Sequence, residues 1–219
     1  MDKQRNIPLE RTYTIWGIVL ILWSLYRVYV HLPEWFDELV AKPFVFLGPM
    51  LFYVVTQERR SLATLGLIAG RFVRDIYLGL GFGLLFAVEG IAANSLKYGR
   101  LSLAPSIPIG GGVLLVEVIL SLATAFSEEL LVRGFLFTRL KENYQSEGKA
   151  LLISSIMYFM LLVPVVFTVL KLNGDPLLLF VITNLVISLT NTMIFNETKT
   201  LTVPILIHTF WNMAVVLYL

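Results

Sequence analysis

Cysteine is absent from this sequence of 219 residues, and histidine occurs only twice, as His31 and His208. Without cysteine the chain can form no disulfide, thiol nucleophile or thiolate metal site. With two histidines, any metal centre would depend largely on carboxylate ligands. The carboxylates are therefore the first residues to consider as chemical groups.

Charge is also scarce. Charged residues make up 15% of the chain, hydrophobic residues 57%, and the mean hydropathy is +0.79. Because a soluble domain carries about 25% charged residues, this composition predicts a polytopic protein that lies in a lipid bilayer. The net charge is only +2, and no basic aromatic cluster is present, so we expect no nucleic-acid partner.

Apolar windows of about 20 residues predict an all-α helical bundle with about seven transmembrane helices. The windows lie near 12–31, 41–57, 72–95, 112–139, 150–171, 177–195 and 201–219. An extra short helix would make eight, and segment 58–71 could lie along the membrane surface. The first window contains Arg27 and no small-residue cleavage site, so we expect a retained span and not a signal peptide.

The distribution of Lys and Arg predicts the orientation. With the N-terminus in the cytoplasm, eleven basic residues fall on the cytoplasmic side and four, including Lys42, on the outer side. This asymmetry favours a cytoplasmic N-terminus. Because no targeting extension is visible, we expect an integral multi-pass protein of a prokaryotic plasma membrane.

Two adjacent carboxylates, Glu128 and Glu129, and Arg133 lie within the fourth window. A charge at mid-membrane costs roughly 2.5–3.5 kcal/mol or more, so such residues usually mark a functional site. On a helix Glu129 and Arg133 share a face, whereas Glu128 points about 100° away. We expect an ion pair between Glu129 and Arg133, with Glu128 facing a cavity. Alternatively, all three residues could simply hold helices together.

His208 and Asn212 form a second polar pair, one helical turn apart in the last window. Imidazole can serve as a base, a metal ligand or an oxyanion donor, and the amide can also donate to an oxyanion. The alternative is a pair of interhelical hydrogen bonds, worth about 0.6 kcal/mol on average in membranes. A rise of 1.5 Å per residue places Glu128 ~16 Å and His208 ~10 Å from the cytoplasmic edge. The two pairs could therefore face each other.

Glu-Glu-x-x-x-Arg over Glu128–Arg133, followed by His-x-x-x-Asn over His208–Asn212, resembles the CPBP family of CAAX-processing and bacteriocin-processing (type II, Abi-like) intramembrane proteases. The resemblance covers about 60–219, so we divide the membrane domain into an N-terminal two-span region, 1–57, and a protease-like core, 58–219. It implies a helical bundle with a cavity that opens towards the cytoplasm.

The same resemblance implies the roles of the motif residues. Glu128 would activate the attacking water, with Glu129 and Arg133 in support. His208 and Asn212 would belong to the site, either as metal ligand or as stabilisers of the tetrahedral oxyanion. The family is described as metalloproteases, so a divalent metal such as zinc, held by Glu128 and His208, is one expectation.

The chain departs from the family pattern in its middle motif, Phe-x-x-x-His. The histidine position falls on Leu162 or Val163, neither of which can bind metal or accept a proton. A catalytic zinc normally has three protein ligands, so Glu128 and His208 form an incomplete set. A route without metal, with Glu128 as base and His208 and Asn212 around the oxyanion, is less affected by this loss.

Two further acids lie within predicted spans. Glu89 could reach the site from a neighbouring helix, or it could be a structural acid. Glu117 lies on nearly the same helix face as Glu128 but ~16 Å further outward, so the two cannot share direct contacts.

Three functions are compatible with these residues. The first is an intramembrane endopeptidase that cleaves near the C-terminus of a prenylated or otherwise membrane-associated peptide, in CAAX processing or in bacteriocin maturation and immunity. The second is a degenerate protease that acts as a membrane-bound binding or immunity scaffold. The third is a small proton-coupled transporter with Glu89, Glu117 and Glu128 as a relay, although no internal repeat is visible.

Overall fold

The computed structural model describes residues 9–67, 72–101, 103–105, 107 and 110–218. Within these residues the chain is all-helical, without strands, which confirms the predicted fold class. The long helices are α1 (Leu9–Tyr29), α2 (Glu34–Glu58), α3 (Phe72–Tyr98), α4 (113–144), α5 (Glu147–Leu170), α6 (Gly174–Thr198) and α7 (Thr202–Tyr218). Each overlaps one predicted window.

Among the described residues, three segments are long and apolar enough to cross a membrane: Glu34–Glu58, Val73–Ala92 and Glu147–Leu170. Helix α7 is apolar but shorter. These helices support a membrane protein, while the number of crossings and the side of the N-terminus stay predictions. Of the proposed surface segment, the described part forms a short 3-10 turn at Leu62–Leu65, and positions 68–71 lie outside the described residues.

Helix α2 begins at Glu34, seven residues before the predicted window. The charged residues near its start have partners in the folded chain: Asp37 pairs with Arg27 of α1, and Lys42 pairs with Glu38. The helix therefore continues through them. Lys42, which the charge count assigned to the outer side, lies within helix α2, and its side chain is only 7% exposed.

Helix α4 forms the centre of the bundle, and every residue of its π-helical stretch Leu130–Phe137 is buried. Gly134 allows α4 to approach the turn before α3, since a Cβ there would lie 2.7 Å from the Leu65 carbonyl oxygen. Further along α4, Arg139 donates to the Glu58 carboxylate of α2 at 2.7 Å, and both side chains are buried. These contacts fix α4 against α2 and the turn that follows it.

Small residues bring α3 and α7 together. A Cβ at Gly83 would lie 2.7 Å from the Phe210 ring, so glycine is required for this approach. Close contacts through small residues are typical of helices packed in membranes. The glycines of α3 that face α7 are Gly79, Gly83 and Gly90, opposite Leu206, Phe210 and Tyr218. This packing fixes the position of the helix that carries His208 and Asn212.

Candidate active site

Glu129 is the point at which α4, α6 and α7 meet. Its side chain is fully buried, and Oε1 accepts hydrogen bonds from Arg133 Nη1 at 3.2 Å and from Asn191 Nδ2 at 3.1 Å. The same oxygen lies 2.8 Å from His208 Nδ1. The predicted pair of Glu129 and Arg133 is present, and the carboxylate also joins two helices that are distant in sequence.

Arg133 extends this network to α6. Its Nη2 donates to the Ser188 carbonyl at 2.9 Å and to the Ser188 hydroxyl at 2.8 Å. The guanidinium carbon lies 5.0 Å from the centre of the Tyr158 ring, a distance suited to a cation–π contact. Arg133 therefore has partners on three sides and no freedom to reach a substrate.

His208 is held in one orientation by its neighbours. With Glu129 ionised, its oxygen can only accept hydrogen bonds, so Nδ1 is the donor in this contact. The edge of the Tyr158 ring packs against the imidazole with ring centres 6.2 Å apart. These contacts leave Nε2 directed towards Glu128, whose Oε2 is 3.7 Å away.

Glu128 has a partner that the sequence did not suggest. Its side chain is 5% exposed, and Oε1 lies 3.1 Å from the ammonium nitrogen of Lys42. The same ammonium lies 2.5 Å from Glu38, and Glu38 accepts a hydrogen bond from Thr124 of α4. The i,i+4 spacing of Glu38 and Lys42 is a visible pattern, but only the packing of α2 on α4 brings it to Glu128.

One cavity of about 370 Å³ contains the residues predicted as catalytic, Glu128, His208 and Asn212. Leu162 lines it as well, whereas Val163 is not among its lining residues. Of the two positions considered for the middle-motif histidine, Leu162 is the one at the cavity wall. The other lining residues are Thr124, Tyr158, Val165, Leu170, Phe180, Thr183, Asn184, Trp211 and Val215.

Glu89 lies in a neighbouring cavity of about 420 Å³ between α3, α6 and α7. The two cavities share Thr183 and Trp211, and Asn191, which binds Glu129, lines the second one. Glu89 is therefore adjacent to the site but is not among the residues that line the cavity of Glu128.

The donor set does not fit a catalytic metal. Within the described part of the chain, no group of three or more His, Cys, Asp or Glu side chains could hold a metal ion. Glu128 and His208 are two donors, one Glu128 oxygen already contacts an ammonium, and the His208 Nδ1 proton is bound to Glu129. A catalytic zinc normally requires three protein ligands, and here they do not converge.

Comparison with known proteins gives one match. Residues 110–214 match the model of the Rce1-like family, the type II CAAX prenyl endopeptidases. No curated protein and no solved structure shows significant similarity to the chain. The matched segment contains both motifs and every residue that lines the cavity of Glu128 except Val215. Over this segment, slightly less than half of the chain, the protein is similar to the Rce1-like CAAX protease family.

Proposed function

We propose that this protein is an intramembrane endopeptidase that hydrolyses a peptide bond near the C-terminus of a prenylated or otherwise membrane-associated peptide. The observation that carries the proposal is the convergence of Glu128, His208 and Asn212 on one cavity. The similarity to the Rce1-like family over 110–214 supports the reaction class, and the apolar helices support a substrate that is held at the membrane.

The geometry of Glu128 and His208 suits activation of water. Their nearest side-chain atoms are 3.7 Å apart, too far for a direct hydrogen bond but close enough for one water molecule to bind both. Glu128 accepts a proton from this water while the water oxygen bonds to the carbonyl carbon of the peptide. The protonated Glu128 then gives this proton to the leaving amine as the carbon–nitrogen bond breaks.

The tetrahedral intermediate carries its negative charge on the former carbonyl oxygen. Asn212 lies one turn beyond His208 on the same cavity wall, and its side-chain N–H can donate to this oxygen. The hydrogen bond from Nδ1 to Glu129 keeps His208 from rotating, so that the ring faces the reacting atoms throughout. In this proposal no step requires a metal.

The test is cleavage by the purified protein in liposomes, with prenylated CAAX peptides and a panel of leader peptides as substrates. Glu128→Gln keeps the shape of the side chain and removes the base, so we expect kcat to fall by about 10²–10⁴-fold. Glu89→Gln is the matched control, because it removes an acid from the neighbouring cavity, and it should cleave at nearly the wild-type rate. Chelators should leave the rate unchanged.

Cleavage by Glu128→Gln at the wild-type rate would refute the role of Glu128. Loss of activity on treatment with chelator, restored by a divalent cation, would refute the route without metal.

A second candidate, a degenerate protease that binds membrane peptides or immunity partners, is favoured by Leu162 at the cavity wall. It predicts that the wild-type protein binds the peptides in the same liposomes without cleaving them. Cleavage that appears in Leu162→His would then identify a site that has lost one group. The transport relay receives no such support, since Glu89 lines a different cavity from Glu128.

A further inference from the structure

Lys42 is a buried cation in contact with the candidate base. Its Nζ lies 3.1 Å from Glu128 Oε1, and its side chain is 7% exposed. It comes from α2, which lies outside the segment 110–214 that matches the family model. Neither motif nor family match therefore assigns this residue a role.

The surroundings of Lys42 hold its ammonium at one point. Glu38, one turn earlier on α2, lies 2.5 Å from Nζ and is itself bonded to Thr124 of α4. The ammonium also lies 5.7 Å from the centre of the Trp23 ring of α1. Because partners on α1, α2 and α4 surround it, Lys42 has little freedom to leave Glu128.

The contact acts on one of the two Glu128 oxygens. Lys42 contacts Oε1, whereas Oε2 is the oxygen that lies 3.7 Å from His208 Nε2. A carboxylate anchored through one oxygen keeps the other in a fixed direction. At the position where the family pattern has a histidine, the cavity has Leu162, which can form no hydrogen bond with Glu128.

We propose that Lys42 is a positioning residue for the reaction, which anchors Glu128 through Oε1 so that Oε2 faces His208 and the cavity. This inference rests on the proposed function for its effect on rate. The contact of Lys42 with Glu128 can be tested independently of any cleavage. Lys42 thus makes the N-terminal helices part of the site.

The kinetic test compares Lys42→Met and Lys42→Arg with the wild-type protein in the liposome assay. Methionine keeps the apolar stem and removes the anchor, so we expect kcat to fall about 10²-fold while KM changes less than about twofold, as expected when the loss lies in the transition state. Arginine keeps a cation that can bind Glu128, and it should restore most of the rate. The matched control is Arg27→Met, which removes a partly buried cation, the partner of Asp37, that does not line the cavity.

If Lys42→Met does not fold, a second variant replaces it in the assay: Glu38→Gln combined with Lys42→Met. This variant removes one negative and one positive charge together. This variant should fold and should still show the loss of kcat. Equal kcat values for the wild type, Lys42→Met and the double variant would overturn the inference. An equal loss of kcat in Arg27→Met would also overturn it.

Thermal unfolding of Lys42→Met, Glu128→Gln and the double variant tests the contact without substrate. If Lys42 anchors Glu128, the loss of Tm in the double variant is smaller than the sum of the two single losses. Additive losses would overturn the contact. A wild-type protein that cleaves nothing would overturn the proposed function and with it the effect on rate, whereas the unfolding cycle still decides whether Lys42 anchors Glu128.

Discussion

Replacement of Arg133 by methionine is the sharpest test of the network around Glu129. Arg133 is 1% exposed and Glu129 is fully buried, so the variant leaves a carboxylate without its cation in a site that water does not reach. Asn191 and His208 still donate to this carboxylate, but neither replaces the guanidinium. The two hydrogen bonds to Ser188 are lost as well.

The expected size of the effect separates two descriptions of the site. Removal of one partner from a buried ion pair costs about 3–5 kcal/mol of unfolding free energy. An ordinary interhelical hydrogen bond in a membrane protein contributes about 0.6 kcal/mol. Because Arg133 has almost no exposure and contacts α6 as well as Glu129, we expect the larger value.

The measurement is reversible unfolding in detergent micelles for Arg133→Met, Glu129→Gln and the double variant. The double variant removes both charges, so it should be more stable than the sum of the single losses implies, by about 1–3 kcal/mol. The control is Arg60→Met, which breaks the partly exposed pair with Glu142 and should cost about 1 kcal/mol or less. A loss below about 1 kcal/mol in Arg133→Met, or additive losses, would refute the buried-pair description.

Two further predictions concern packing and orientation. Gly134→Ala should destabilise the fold by about 1–3 kcal/mol, because its Cβ would lie 2.7 Å from the Leu65 carbonyl oxygen. The control Gly148→Ala meets open space and should leave Tm unchanged or raise it. Equal Tm values for the two variants would refute the close approach at Gly134. The absence of native cysteine allows single-cysteine labelling in intact cells or oriented vesicles. A membrane-impermeant thiol reagent should label Lys149→Cys from the cytoplasmic side and Asn173→Cys from the outer side, and labelling of both from one side would refute the predicted topology.

Local properties were predictable from the sequence. Apolar windows located the helices because length and composition are properties of continuous segments. The pair of Glu129 and Arg133 was predictable for the same reason, since residues four apart on a helix share a face. The burial of Lys42 was not predictable in this way, because its partners lie on other turns and on another helix.

Contacts between helices were decided by the tertiary structure. The sequence alone could not choose between Leu162 and Val163, because the choice depends on how α5 is rotated against α4 and α7. Likewise, Glu89 faces a neighbouring cavity because of the way α3 packs on α7.

The sequence by itself indicated the family resemblance, the helices and the residue types of the site. Only the packing of α2 on α4 brought Lys42 to Glu128, a contact that joins positions 86 residues apart. Such a contact has no local signature, because the charge of Lys42 looks the same in a loop as in a buried pair. The two motifs could be read from the chain, whereas the partners of each carboxylate depended on the fold.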